Sequence, residues 1–227
     1  MKIPGVESWS SVWDEVFSSQ EWGKYPSEAL VRFVARNFYK AVRKDVKILE
    51  VGCGPGANLW YLSREGFDAY GVDGSAVALA ALRQRLEREH LEAQVSQGDI
   101  ISLPYPDGQF DAVLDCECIY SNDAKNSRLI FQEIGRVLKP GGKFFSQTFS
   151  DRLDVGTGAV PGERPLEYRE GSEGPMAGKG FFRLSTIESL QDLYKNLFDI
   201  QSIDLLEYTG GNRAYRVSEW IVVATKV

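Results

Sequence analysis

Histidine is nearly absent from this chain: His90 stands alone among 227 residues, alongside only three cysteines and two methionines. Transition-metal centres draw most of their ligands from His and Cys, and Cys116-Glu117-Cys118 lacks the spacing of a zinc pair, so no metal site is expected. Cys53, Cys116 and Cys118 are odd in number and are read as reduced thiols in or near a core. Positive charge is short as well. Asp and Glu number 32 against 26 Lys and Arg, for a formal charge of −6. Binding to a phosphate backbone gains affinity by neutralising phosphates, so a nucleic-acid partner is not expected. No stretch approaches the roughly 18 apolar residues of a membrane span, and Met1-Lys2-Ile3-Pro4-Gly5 lacks the apolar core of a secretory leader. These absences lead to the expectation of a cytoplasmic protein without a membrane segment.

What is present is a globular composition, 43% hydrophobic and 26% charged, enough for one large domain over residues 1–227. From residue 46 to 149, short apolar runs alternate with helical patterns, which predicts strand-helix units and a mainly parallel sheet. Strands are expected at 46–51, 69–72, 91–96, 110–115 and 143–149, with helices at 57–64, from Ser75 to about His90, and at 126–138. Leu79, Leu82 and Leu86 share one helical face, as do Ile130, Ile134 and Val137. Lys139-Pro140-Gly141-Gly142 reads as a break before the fifth strand.

Residues 151–180 hold seven glycines and three prolines, the composition of a long functional or mobile loop. Order resumes where Ser185-Thr186-Ile187-Glu188 matches a capping box before a helix with Ile187, Leu190, Tyr194 and Leu197 on one face. Residues 198–208 and 215–227, flanking Thr209-Gly210-Gly211-Asn212, predict a closing antiparallel hairpin. Ahead of the sheet, two helical stripes, Trp9, Trp13 and Phe17, then Leu30, Val34 and Phe38, either pack on the sheet or form a lid. The organisation expected is thus a helical cap at 1–45, a core at 46–149, a loop at 151–182 and a helix with hairpin at 185–227.

A strand running into closely spaced glycines and then a helix lets backbone N–H groups approach a ligand. In Glu50-Val51-Gly52-Cys53-Gly54-Pro55-Gly56, one residue separates the last two glycines, where the dinucleotide fingerprint has two. Asp73 ends the second strand, where a carboxylate accepts ribose hydroxyls or simply caps the Ser75 helix. With Ile48-Leu49 before this loop, Gly71-Val72-Asp73-Gly74-Ser75, Gly98-Asp99-Ile100 with Leu103-Pro104, and Phe110-Asp111-Ala112-Val113 with Leu138-Lys139-Pro140-Gly141-Gly142, four segments in order resemble the class I S-adenosylmethionine-dependent methyltransferases.

The resemblance implies an α/β, Rossmann-like, mainly parallel seven-stranded sheet with helices on both faces, the last strand antiparallel and a helical cap in front. It implies S-adenosylmethionine as cofactor, S-adenosylhomocysteine as product, and a small-molecule acceptor. It also implies that Gly52, Cys53, Gly54 and Gly56 pass the methionine part, that Glu50 orients it, and that Asp73 and Gly74 meet the ribose end. Asp99 and Ile100 would hold adenine, and Cys116 would lie near the cofactor. One departure stands out: the position after the ribose-binding acid is often bulky in that family and here is Gly74, which shifts ring packing to Ile100 and Leu103.

Methyl transfer from a sulfonium needs positioning more than a fixed triad. An oxygen acceptor needs a base, for which Glu117, Tyr120, Asp123 and Tyr25 are candidates. Arg152, Arg164, Tyr168, Arg169 and Lys179 of the long loop, and Trp22-Gly23-Lys24-Tyr25-Pro26, are candidate acceptor walls; His90 is read as solvated. The acceptor expected by elimination is a sugar-derived, lipid-like or quinone-like metabolite. A non-catalytic binder of S-adenosylmethionine and a nicotinamide-dependent oxidoreductase are the competing readings.

Overall fold

The computed structural model describes residues 7–227, so the leader reading at Met1 to Gly5 lies outside the described residues. Strands β1 (Lys47–Val51), β2 (Asp68–Asp73), β3 (Gln94–Gln97), β4 (Phe110–Cys116) and β5 (Leu138–Phe149) pair in parallel. A small antiparallel sheet follows, β6 (Val160–Pro161), β7 (Glu167–Glu170) and β8 (Phe182–Arg183). The chain then returns to the main sheet with β9 (Phe198–Gly210) and β10 (Tyr215–Lys226). The main sheet has the order β3-β2-β1-β4-β5-β10-β9, with β10 antiparallel to both neighbours. Strand order reverses between β1 and β4, and a crevice opens there at the carboxyl ends of the strands.

Successive strand side chains point to opposite faces, and that alternation assigns each residue to a layer. Ile48, Leu114, Phe145 and Ile221 meet Leu30, Phe33, Val34 and Phe38 of α2 (Glu28–Phe38), with Leu59 and Leu62 of α3 (Ala57–Arg64) and Leu79 and Leu82 of α4 (Ala76–Arg88). Leu49, Val113, Phe144 and Val222 turn the other way, onto Ile130, Phe131 and Ile134 of α5 (Ala124–Val137) and Leu190 and Tyr194 of α6 (Ile187–Tyr194). Both faces are covered, which is why these strands read as nearly continuous apolar runs. Among the described residues, no helix is long and apolar enough to cross a membrane.

The two amino-terminal stripes part company. α2 packs on the sheet, whereas α1 (Val12–Ser19) lies against α4, where the Ser75 hydroxyl donates to Asp14. Other expectations need correction. β3 starts at Gln94 rather than residue 91. Lys139-Pro140-Gly141-Gly142 does not precede β5 but loops out within it: pairing runs Phe110 to Leu138, then resumes at Ala112 to Lys143, and Lys139 ion-pairs with Asp111.

Residues 151–180 are not an unstructured loop. Leu153, Met176, Phe182 and Leu184 bury themselves against Tyr120, Phe149 and Val217 in a third apolar cluster, and the small sheet grows from it. The cap of α6 is Thr186, not Ser185; it pairs reciprocally with Ser189, while the Ser185 carbonyl accepts the Trp220 indole N–H at 2.7 Å. Ile187 is 40% exposed and Leu193 takes its place in the core. Thr186→Ala removes one side of the capping box and lowers the unfolding free energy by about 1 kcal/mol. Urea denaturation reads this, and an unchanged midpoint would show the cap to be idle.

Candidate active site

β1 delivers the chain into the glycine loop, whose turn is pinned by Gly52 and Cys53 N–H groups donating to the Val72 carbonyl at 2.8 and 3.1 Å. Gly52 has φ of +66°, and a Cβ there would lie 2.1 Å from the Cys118 sulfur, so conformation and space both require glycine. Glu50 lies beneath the loop, 2% exposed. Its Oε1 accepts from the Asn58 amide at 2.6 Å, its Oε2 is buried with no partner among the described residues, and burial pushes its carboxyl up to about 8. A buried acceptor left open is one that a ligand donor or a proton completes.

Asp73 closes β2 at 8% exposure and ties two turns together, Oδ2 accepting from the Gly54 N–H and Oδ1 from the Ser75 N–H, both at 2.8 Å. Burial pushes its carboxyl up, while those N–H donors hold it down. Asp73 is not the cap of α4, which is Ser75 through its hydroxyl on the Ala78 N–H; it ties the turn before that cap while facing the cleft. Asp99 accepts from the Ser8 N–H at 2.8 Å, from the Ser8 hydroxyl, and from the Ile101 N–H at 3.1 Å.

A cleft runs over these groups. Gly52, Asp73, Gly74, Asp99, Ile100 and Cys116 line it. Glu50, Cys53, Gly54 and Gly56 support the loop without forming its wall; the Cys53 thiol turns into the core against Leu59 and burial pushes it up. Leu103 belongs to the core behind the cleft, so it is not part of the ring-packing wall. Trp9, Trp13 and Phe17, read as core or lid, form the roof together with Trp22. Their rings interlock, Phe17 and Trp22 edge-on at 5.2 Å and Trp13 and Trp22 at 6.1 Å.

The far end of the cleft is Cys116, Glu117 and Cys118. Glu117 sits at φ of +54°, its N–H donating to the Gln147 carbonyl at 2.9 Å. Gln147 in turn donates through one amide to Glu117 at 3.2 Å and to Glu219 at 3.1 Å, and accepts from the Ser27 hydroxyl at 2.8 Å. Burial and the facing Glu219 carboxylate push Glu117 up; Lys179, whose ammonium lies 4.9 Å from the Trp22 ring centre, opposes that. Burial likewise raises Glu219, which is 2% exposed. Behind them Asp115 braces the strand end, accepting from the Cys118 and Ile119 N–H groups and the Ser146 hydroxyl.

Of the four base candidates, only Glu117 faces the cleft. Tyr120 is 2% exposed and packs edge-on against Phe149 in the third cluster. Asp123 is exposed and caps α5 by accepting from the Asn126 N–H. Tyr25 is 72% exposed and leans edge-on against Trp60, away from the cleft that Trp22 lines. Of the candidate acceptor walls, Trp22 and Lys179 meet near the cleft, while Arg169 lines a separate depression with Glu7 and Asn126. His90 is exposed at the end of α4. Sequence reasoning missed Glu219 and Gln147, although an acid directly before the apolar run Trp220-Ile221-Val222-Val223 was a usable signal.

Residues 48–142 match the family described as Methyltransferase domain. Methyltransferase GfsG of Streptomyces halstedii is 32% identical over 171 residues, 72% of this chain and 54% of that protein. The fatty-acid O-methyltransferase of Mycolicibacterium smegmatis is 35% identical over 135 residues, 57% of this chain and 48% of that protein. The chain thus spans about half the length of these curated relatives. A solved SAM-dependent methyltransferase from Methanosarcina mazei shares the fold, with a TM-score of 0.70 at 19% identity over 89% of this chain and 99% of that one. Through this segment, which carries the glycine loop, Asp73 and Asp99, the chain belongs to the class I S-adenosylmethionine-dependent methyltransferase family.

Proposed function

We propose that this protein transfers the methyl group of S-adenosylmethionine to a small-molecule acceptor. The observation that carries the proposal is one continuous cleft with Asp73 and Asp99 at one end and Glu117 at the other, roofed by Trp13, Phe17 and Trp22. The cofactor supplies a methyl carbon on a positively charged sulfur with a neutral leaving group. In this reading Asp73 accepts the ribose hydroxyls, Asp99 accepts from the adenine amino group beside Ile100, and Gly52 and Cys116 meet the methionine part. Glu50 completes its open Oε2 with a donor from that part or keeps a proton, and through Asn58 it fixes the helix behind the loop.

The chain's remaining work is to align an acceptor and to keep water out, which the aromatic roof does. Glu117 takes the acceptor's proton, and Glu219 holds Glu117 in place through Gln147. The acceptor is a small metabolite of the sugar, lipid or quinone kind, and the protein acts in the cytoplasm without a nucleic-acid partner. The fatty-acid substrate in one relative's name agrees with an acceptor that has an apolar body.

Calorimetry should detect binding of S-adenosylhomocysteine and none of NAD, and a metabolite screen with labelled methyl donor should reveal an acceptor. Binding of NAD without the homocysteine product would return the oxidoreductase reading. Cofactor binding with no acceptor turned over across the screen would favour a non-catalytic binder.

A further inference from the structure

Gly74, directly after the ribose-facing Asp73, has no left-handed φ that would require glycine. Space requires it instead. A Cβ at this position would fall 1.9 Å from Cδ1, 2.2 Å from Cγ and 2.4 Å from Nε1 of Trp9. The indole ring thus lies where a side chain at residue 74 would begin, and it comes from the amino-terminal arm rather than from the sheet.

Three contacts fix the arm around that ring. Ser8 gives its N–H and its hydroxyl to the two oxygens of Asp99, and Asp14 accepts from the Ser75 hydroxyl. Trp9, Gly74, Asp99 and Ile100 all line the cleft. Among the described residues the buried Trp9 Nε1–H has no acceptor, which leaves a donor at the edge of the cleft.

We propose that Trp9 is the second wall of the adenine pocket, supplied by the arm in place of the side chain that Gly74 lacks, so that adenine lies between Trp9 and Ile100. The inference rests on the proposed cofactor. An indole face is a strong and orientation-tolerant platform for a purine, whereas Ile100 alone offers only an aliphatic edge. Each carboxylate oxygen has two lone pairs, so Asp99 holds Ser8 and still accepts from a ligand amino group. Seating the arm and recognising adenine are then coupled through one carboxylate.

The test is a size exchange read by calorimetry with S-adenosylhomocysteine and with 5′-methylthioadenosine, which keeps the adenosine end and lacks the amino acid. Trp9→Ala should weaken both ligands at least fivefold and Trp9→Phe about twofold. Gly74→Leu should weaken both about tenfold by expelling the ring. The double variant W9A/G74L should bind better than either single one, because the leucine then fills the place of the indole. Unchanged or tighter binding by Trp9→Ala would overturn the proposal by making the arm a bystander or a competitor. So would a double variant as weak as the two losses multiplied, or a loss seen with S-adenosylhomocysteine alone. Failure of the unaltered protein to bind either ligand would instead sink the cofactor assignment, which keeps the two ideas separable.

Discussion

Glu117→Gln lowers kcat for the acceptor found by screening by about a hundredfold or more while S-adenosylhomocysteine affinity stays within about threefold. General-base assistance contributes on the order of 10² to 10⁴ in rate, and glutamine keeps the shape and the Gln147 contact without the basic oxygen. The pH profile carries a second signature. Burial and the Glu219 carboxylate raise Glu117, so its basic form appears only above the ordinary carboxylate range. In the unaltered protein kcat should therefore climb with pH beyond that range, and in Glu117→Gln the ascending limb should vanish.

Stability moves the opposite way. A carboxyl raised on folding favours the protonated native state, so its contribution is greatest below the unfolded value near 4.3 and is lost as pH rises through the folded value. Glu117→Gln should accordingly gain stability relative to the unaltered protein as pH increases. Equal rates for both proteins at every pH would remove Glu117 from the chemistry.

Asp73→Ala weakens S-adenosylhomocysteine by at least tenfold, about 1.4 kcal/mol or more, because hydrogen bonds to an ionised acceptor are among the stronger ones. The structure makes this position more demanding than a ribose contact alone. Asp73 also holds the Gly54 and Ser75 N–H groups, so alanine frees the glycine loop and the start of α4 together. Thermal unfolding without ligand should be recorded beside the titration to separate the two losses. Affinity preserved within twofold would show that the ribose is bound elsewhere.

The central strands, the glycine loop and the hairpin were legible because each is written in a contiguous stretch. Ile48 and Leu49, or Phe144 and Phe145, carry their opposite destinations in the order of their letters. The segment at 151–180 was misread because glycine and proline dominate its composition, while Leu153 and Met176, sparse in the sequence, decide its packing. The aromatic stripe Trp9, Trp13 and Phe17 has the same spacing whether it meets a core or a ligand, so spacing left the choice open. Tyr120 and Asp123 follow the right strand but turn away from the cleft, and side-chain direction beyond a strand end is not encoded in proximity. Glu219 was invisible as a partner of Glu117 because their meeting depends on which strands become neighbours.

The placement of β10 has one more consequence. Synthesis delivers β5 long before β10, yet β10 lies between β5 and β9. Until residues 215–226 emerge, the inner edge of β5 has no partner and the hairpin cannot dock. The sheet is therefore closed from its middle, by a strand that leaves the ribosome after both of its neighbours. That strand brings Glu219, so the acidic pair at the acceptor end comes into being only once β10 has docked, and a nascent chain that can already shape the glycine loop has no finished site to misuse.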